Sequence, residues 1–327
     1  MLSCAADPAG RHRVERSFVT MGSSLTVSIW TADDAKAAAA ADQVFAEFDR
    51  LDSLLSVWKP GSDVVRINAA AGRQPVPVSS ETLEVLAAAR LGSERTNGKF
   101  DITFGAMADI WKFDHDQDNR VPDRALIEAR LPLVDFRAVE VDAARRTAFI
   151  SRPGVRMHLG GIGKGYALDA AVAHLRRQGF ADFLIQAGGD VYAAGTSNGT
   201  PWKLGIADPR GAHDAFAAVE LRDATFSTSG DYERSFVKDG VRYHHLIDPD
   251  RGEPARGCRS VTIVADRAML ADVLSTGVFI MGPDAGMRLI EQLPNVEGVI
   301  VTAANAVLIS SGLRGRVAIK GAPTDAP

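Results

Sequence analysis

His158-Leu-Gly-Gly-Ile-Gly-Lys-Gly-Tyr-Ala-Leu-Asp169 sets four glycines and a lysine within eight residues, then continues into Ala170-Ala-Val-Ala-His-Leu175, which reads as a helix. Glycine lets a ligand come close to the backbone, and the free N–H groups of a helix's first turn carry partial positive charge. The pattern therefore predicts an anion site with phosphate as its natural guest. A tight packing turn between strand and helix would read the same way. Neither common nucleotide motif fits. Gly160 to Lys164 is too short for G-x-x-x-x-G-K-[ST], Gly165 stands where Ser or Thr should hold magnesium, and Gly161, Gly163 and Gly165 are misspaced for G-x-G-x-x-G.

Outward from this loop, the chain after it alternates short strands with few helices. Strands are predicted near 183–186, 190–195, 202–207, 216–221, 241–247, 259–264, 297–302 and 306–310, and helices near 163–178, 268–280 and 284–292. Before the loop, Val14 to Trp30 reads as paired strands, Ala35 to Val57 as a long amphipathic helix, and Ser80 to Arg95 as a second helix with serines at its start. Short strands at 139–143 and 147–150 follow a polar surface insertion and a short helix between Asp114 and Pro132. Strands come in runs rather than strictly between helices, so the fold class is α+β and not a doubly wound parallel sheet.

Three clusters downstream carry chemistry. Gln186-Ala-Gly-Gly-Asp190 is a β-turn or a second close backbone approach to a ligand. Ser227-Thr-Ser-Gly-Asp-Tyr-Glu-Arg234 precedes Tyr243-His-His-Leu-Ile-Asp-Pro249, where strand alternation sends His244 and His245 to opposite faces. One of the two then points into a site as a general base, or both serve the turn. Asp272 and Thr276 lie four apart on a helix, so carboxylate and hydroxyl share a face and can hold a hard cation or bond each other.

Taken in order, these motifs resemble the FAD:protein FMN transferase (ApbE) family. So do Met21-Gly-Ser, Leu55-Ser-Val-Trp-Lys-Pro-Gly-Ser62 with Asn68, and Phe100-Asp-Ile-Thr-Phe-Gly105. The resemblance runs from about residue 18 to 312. It implies an ApbE-like, T-fold-related α+β fold of two merged lobes, and an enzyme that uses Mg2+ to cleave the FAD pyrophosphate. FMN passes to a threonine or serine of a target protein and AMP is released. Alternatives are an FAD pyrophosphatase giving FMN and AMP, and a non-catalytic flavin-binding protein.

Carried over by motif, Met21, Trp58, Lys99, Phe100, Asp101, His158, Lys164, Leu246 and Ile247 would contact FAD. Gly161 (through its carbonyl), Asp272 and Thr276 would hold the metal, and His245 would be the catalytic residue. Loop amides would stabilise developing negative charge. The family usually has aspartate where this chain has His158. An imidazolium there would oppose a nearby magnesium and favour a phosphate. The implied partners are FAD and an acceptor protein with a flavinylation motif, of the kind found on membrane-associated redox subunits.

With 327 residues, 46% hydrophobic, 24% charged and a net charge of −4, the composition is that of a globular chain with ample core. No Lys/Arg run exceeds a pair, which argues against a nucleic-acid surface. No apolar run reaches the roughly 20 residues a membrane span requires. Met1-Leu-Ser-Cys4 resembles the end of a lipobox without the segment that should precede it, and an accidental Cys in a tail reads the same way. With the family resemblance, this predicts an extracytoplasmic, periplasmic protein held at the inner membrane by a lipid on Cys4. The expected organisation is an N-terminal tail at 1–13, the flavin transferase domain at 14–318, and a C-terminal tail at 319–327.

Overall fold

The computed structural model describes residues 10–211 and 215–326. Its centre is an antiparallel sheet of eight strands: β1 (His12–Thr20), β2 (Ser23–Thr31), β3 (Phe183–Ala187), β4 (Asp190–Ala194), β5 (Ala224–Gly230), β6 (Cys258–Ala265), β7 (Glu297–Thr302) and β8 (Val307–Ile309). The spatial order of these strands is their order along the chain, and every neighbouring pair is antiparallel. Among the described residues the sheet is thus a meander whose connections have been lengthened into helices, strands of two small three-stranded sheets and two hairpins. It accounts for the α+β expectation.

Among the described residues seven α-helices decorate it: α1 (Asp34–Leu55), α2 (Asp63–Ala69), α3 (Ser80–Arg95), α4 (Arg124–Arg130), α5 (Gly163–Arg177), α6 (Ala268–Met281) and α7 (Pro283–Gln292). Asp33 starts α1 by accepting the Lys36 amide at 2.9 Å. Its buried stripe of Ala37, Ala40, Ala41, Val44, Phe48, Leu51 and Leu55 keeps helical spacing, and most of it packs with Leu25, Val27, Ile29 and the α5 residues Leu168 and Leu175. A second core gathers around Val85, Leu86 and Ala89 of α3 and reaches Val273 of α6, which joins the two regions. A third lies on the opposite face, where Trp202, Phe216 and Val219 of the three-stranded sheet formed by Trp202–Ala207, Ala215–Leu221 and Val317–Ile319 cover Phe226, Val264 and Val301. None of the described helices is long and apolar enough to cross a membrane.

β1 begins at His12, inside the predicted N-terminal tail. Within and beside the predicted C-terminal tail, Val317–Ile319 pairs with Ala215–Leu221, and Thr324 donates to Asp208 Oδ2 from both its amide (2.9 Å) and its hydroxyl (2.6 Å). Cys4 lies outside the described residues.

Candidate active site

A cavity of about 850 Å³ opens where the β1–β2 turn, the N-terminus of α5, the middle of α6 and the segment after β5 converge. Trp58, Lys99, Phe100, Asp101, His158, Gly161, Lys164, His245, Leu246, Ile247, Asp272 and Thr276 all line it. Met21 does not. It occupies the β1–β2 turn at φ 48° and packs against the sheet core, leaving the wall to its neighbours Gly22 and Ser23.

The glycine loop is more occupied than its sequence implies. The Gly160 amide donates to His158 Nδ1 at 3.0 Å, Ile162 and Gly163 donate to the Leu159 carbonyl, and the Gly165 amide donates to Asp272 Oδ2 at 3.0 Å. Ile162 at the N-cap of α5 offers no side-chain acceptor, and the carboxyl at the helix N-terminus is that of Asp272. The expected cradle of free amides is therefore corrected: most already have partners, and the loop's own cation, Lys164, lines the cavity. The glycines answer steric demands. A Cβ on Gly165 would lie 2.5 Å from the Ala268 carbonyl oxygen, and one on Gly161 would lie 3.2 Å from both the Phe100 ring and Thr276 Oγ1.

Lys164 Nζ sits 3.1 Å from Asp190 Oδ2. Burial works against its charge, but Asp190 and Asp272 prevail and raise its pKa, so it stays protonated. Burial pushes Asp272 up to about 7, opposed by Lys164 and reinforced by Asp190. Glu233 is also raised by burial against the pull of Lys164. Beneath them runs a chain of hydroxyls. Ser227 donates to Asp190, Ser229 lies 2.8 Å from Ser275 Oγ, and Ser229 is 3.3 Å from Thr276 Oγ1.

The two histidines divide as alternation requires. His244 is buried, with Nε2 2.8 Å from the Ala255 carbonyl, and serves the turn. His245 lines the cavity, and its Nδ1 is buried without a hydrogen-bond partner. Burial, then Arg234, pushes its pKa down to about 3, so the imidazole is neutral at neutral pH. His158 is neutral too, pushed down to about 4 by burial, which replaces the imidazolium considered from sequence.

Other predicted contacts are partly committed to the fold. Lys99 Nζ bonds Asp248 at 2.7 Å and Asp250 at 2.8 Å. Asp101 accepts from the amide and hydroxyl of Thr103 and from the Phe136 amide, so both carboxylate oxygens hold structure. Trp58 remains 55% exposed at the cavity, edge-on to His115. The sequence reading assigned no site role to Asp190, Ser229, Glu233, Phe104 or Ser275. Asp190, Ser229, Glu233 and Phe104 stand inside quoted motifs, whereas Ser275 carries no signal beyond its place between Asp272 and Thr276.

Gly161, Asp272 and Thr276 offer a carbonyl, a carboxylate and a hydroxyl, and the Gly161 Cβ position 3.2 Å from Thr276 Oγ1 makes two of them neighbours. Among the described residues no cluster of three or more His, Cys, Asp or Glu is placed to hold a metal. A cation here would rest on one carboxylate and neutral oxygens. That donor set suits magnesium, which often takes one or two protein carboxylates and fills its shell with water and substrate phosphates.

Comparison with known proteins matches residues 21–300 to the ApbE family. A Klebsiella pneumoniae FAD:protein FMN transferase is 32% identical over 92% of this chain and 92% of its own length. One from Treponema pallidum is 32% identical over 95% and 91%. The crystal structure of the ApbE protein from Thermotoga maritima superposes with a TM-score of 0.86 at 33% identity, covering 93% of this chain and 99% of that one. The flavin transferase ApbE from Vibrio cholerae gives 0.84 at 26% identity, over 94% and 99%. Fold, motif order and coverage agree, and the chain belongs to the ApbE family.

Proposed function

We propose that this chain is a magnesium-dependent FAD:protein FMN transferase. The observation that carries the reading is the convergence of Lys164, the oxygen set of Gly161, Asp272 and Thr276, and His245 with its unpartnered Nδ1 on one cavity, in a family whose curated relatives bear that name. Lys164, kept charged by Asp190, would pair with the pyrophosphate. Gly161, Asp272 and Thr276 would hold magnesium, which neutralises phosphate charge and polarises phosphorus when bound. Trp58 offers a flat apolar face at the mouth for a ring system.

The acceptor hydroxyl oxygen bonds to the FMN-side phosphorus, the bridging P–O bond breaks, and AMP leaves with the bridging oxygen. His245 enters uncharged and takes the hydroxyl proton through Nδ1. Arg234 and Lys164 disfavour the resulting imidazolium. Proton transfer to it is therefore assisted only while anionic phosphate lies beside it.

The test is incubation with FAD, Mg2+ and an acceptor protein carrying a flavinylation motif, following AMP release and in-gel flavin fluorescence. AMP with a fluorescent acceptor supports transfer. AMP with free FMN assigns hydrolysis instead, and no AMP overturns both. For location, we propose a periplasmic protein anchored through a lipid on Cys4, beside a membrane-associated redox subunit as acceptor. The Leu-Ser-Cys4 pattern supports this. Labelling with a radioactive fatty acid and loss of label in Cys4→Ala would bear it out, and a protein recovered wholly unlabelled would refute it.

A further inference from the structure

His158 stands at the start of the glycine loop with its backbone amide on the Ile102 carbonyl at 2.7 Å. Its ring folds back over Gly160. Nδ1 accepts the Gly160 amide at 3.0 Å, and a Cβ on Gly160 would lie 2.8 Å from His158 Cε1, so the ring occupies space that only glycine leaves free. Phe104 packs against it with centroids 5.4 Å apart. The ring is therefore fixed on two sides while the residue lines the cavity. A neutral imidazole has one N–H, and the nitrogen that accepts a bond cannot carry it. The proton is then on Nε2. Burial keeps the ring neutral, and the charged groups that bear on it, Asp114 and Arg234, are paired with each other at 2.7 Å.

We infer that His158 is a specificity-determining residue whose Nε2–H donates one hydrogen bond to an acceptor atom of the bound flavin nucleotide, while Nδ1 holds the glycine turn. The inference rests on the flavin reading of the cavity and adds a direction to it: this position donates, so it selects a carbonyl, ring nitrogen or phosphate oxygen over an amino or hydroxyl hydrogen. A carboxylate at this place could hold the turn equally well but could only accept from the ligand.

Two variants separate the two nitrogens. The amide of His158→Asn reaches the place of Nδ1 and can hold the turn, but it does not reach the ligand. The longer amide of His158→Gln reaches the place of Nε2. FAD affinity, read by quenching of flavin fluorescence in the presence of Mg2+, should fall about tenfold in His158→Asn, the worth of one hydrogen bond, and stay within about threefold in His158→Gln. A role confined to the turn predicts the reverse order. Either that order or equal affinities would overturn the inference.

Titration with FMN and with AMP should show the same Asn deficit for one half of the nucleotide, and its absence from both counts against a ligand bond. The tautomer is read independently from the 15N shifts of the His158 ring in the protein alone, where a proton on Nδ1 would refute the assignment. A wild-type protein with the Nε2–H tautomer that binds no FAD would instead remove the flavin reading, and with it the ligand assigned here.

Discussion

Replacing Asp272 by asparagine keeps the side chain's shape and removes its charge, which separates what the carboxylate does for the metal from what it does to the fold. Asp272 is 4% exposed, and folding moves its pKa from 3.8 to about 7, chiefly through burial, with Asp190 adding repulsion and Lys164 opposing both. A carboxyl whose pKa is raised by folding contributes stability that is full below the unfolded value and is lost as pH climbs through the folded one. Between about pH 5 and pH 7 that loss amounts to as much as about 3 kcal/mol at about 1.4 kcal/mol per tenfold. Local relaxation lowers the realised figure to about 1–2 kcal/mol.

The asparagine side chain has no such dependence and can still accept the Gly165 amide. In EDTA, urea denaturation should therefore show the D272N advantage over wild type growing from about pH 5 to pH 8 by that amount. Mg2+ should raise the wild-type midpoint by mass action and leave the variant's unchanged. Metal-dependent turnover should vanish. A variant less stable than wild type at pH 8, or one that Mg2+ stabilises as well as wild type, would refute the placement of a carboxyl destabilised by burial at the metal position.

Gly165→Ala forces a Cβ against backbone atoms of α6, 2.5 Å from the Ala268 oxygen and 2.7 Å from Met269 Cα. Overpacking of about 1–3 kcal/mol should exceed the helix-propensity gain of up to about 1 kcal/mol, lowering the urea midpoint at constant slope. An unchanged midpoint would mean that α5 and α6 can separate freely. Arg210 Nη1 and Nη2 bond Asp231 at 2.7 and 2.8 Å in a nearly buried pair, so Arg210→Leu should cost about 3–5 kcal/mol by thermal or urea unfolding, with partial recovery in the double variant carrying Asp231→Asn. His245→Gln should leave FAD affinity within about threefold and slow transfer about 100-fold or more. Full turnover in that variant would exclude His245 as the proton acceptor.

The long elements were legible because their apolar spacing and caps agree with tertiary packing. Ser80 to Arg95 and Asp34 to Leu55 bury the stripes their sequences display. β5 was not predicted, since Ala224-Thr-Phe-Ser-Thr-Ser-Gly230 lacks an apolar face. One face of that strand carries Ser227 and Ser229, whose hydroxyls answer Asp190 and Ser275 instead of solvent. α2 was hidden for a different reason: its seven residues make too short a period to see, although Ser62 caps it through the Val65 amide. At the site, motifs indicated which residues gather but not which atoms are already taken. The consumption of the glycine amides by His158, Leu159 and Asp272, and the neutral state of both cavity histidines, depend on long-range burial that no local pattern encodes.

The walls of the cavity come from Gly22 at one end of the chain to Ile280 near the other, and Lys99 closes onto Asp248 across most of that span. Antiparallel neighbours in the central sheet are joined by connections as long as the one from Thr31 to Phe183. Contacts so remote in sequence must overcome loop closure before they return any stabilisation, so they form late and slowly. No chain shorter than the span from Gly22 to Ile280 can assemble this pocket. Ligand capture therefore reports that α6 has docked against the glycine loop, and a protein of this topology cannot hold its nucleotide before both ends of that span have met.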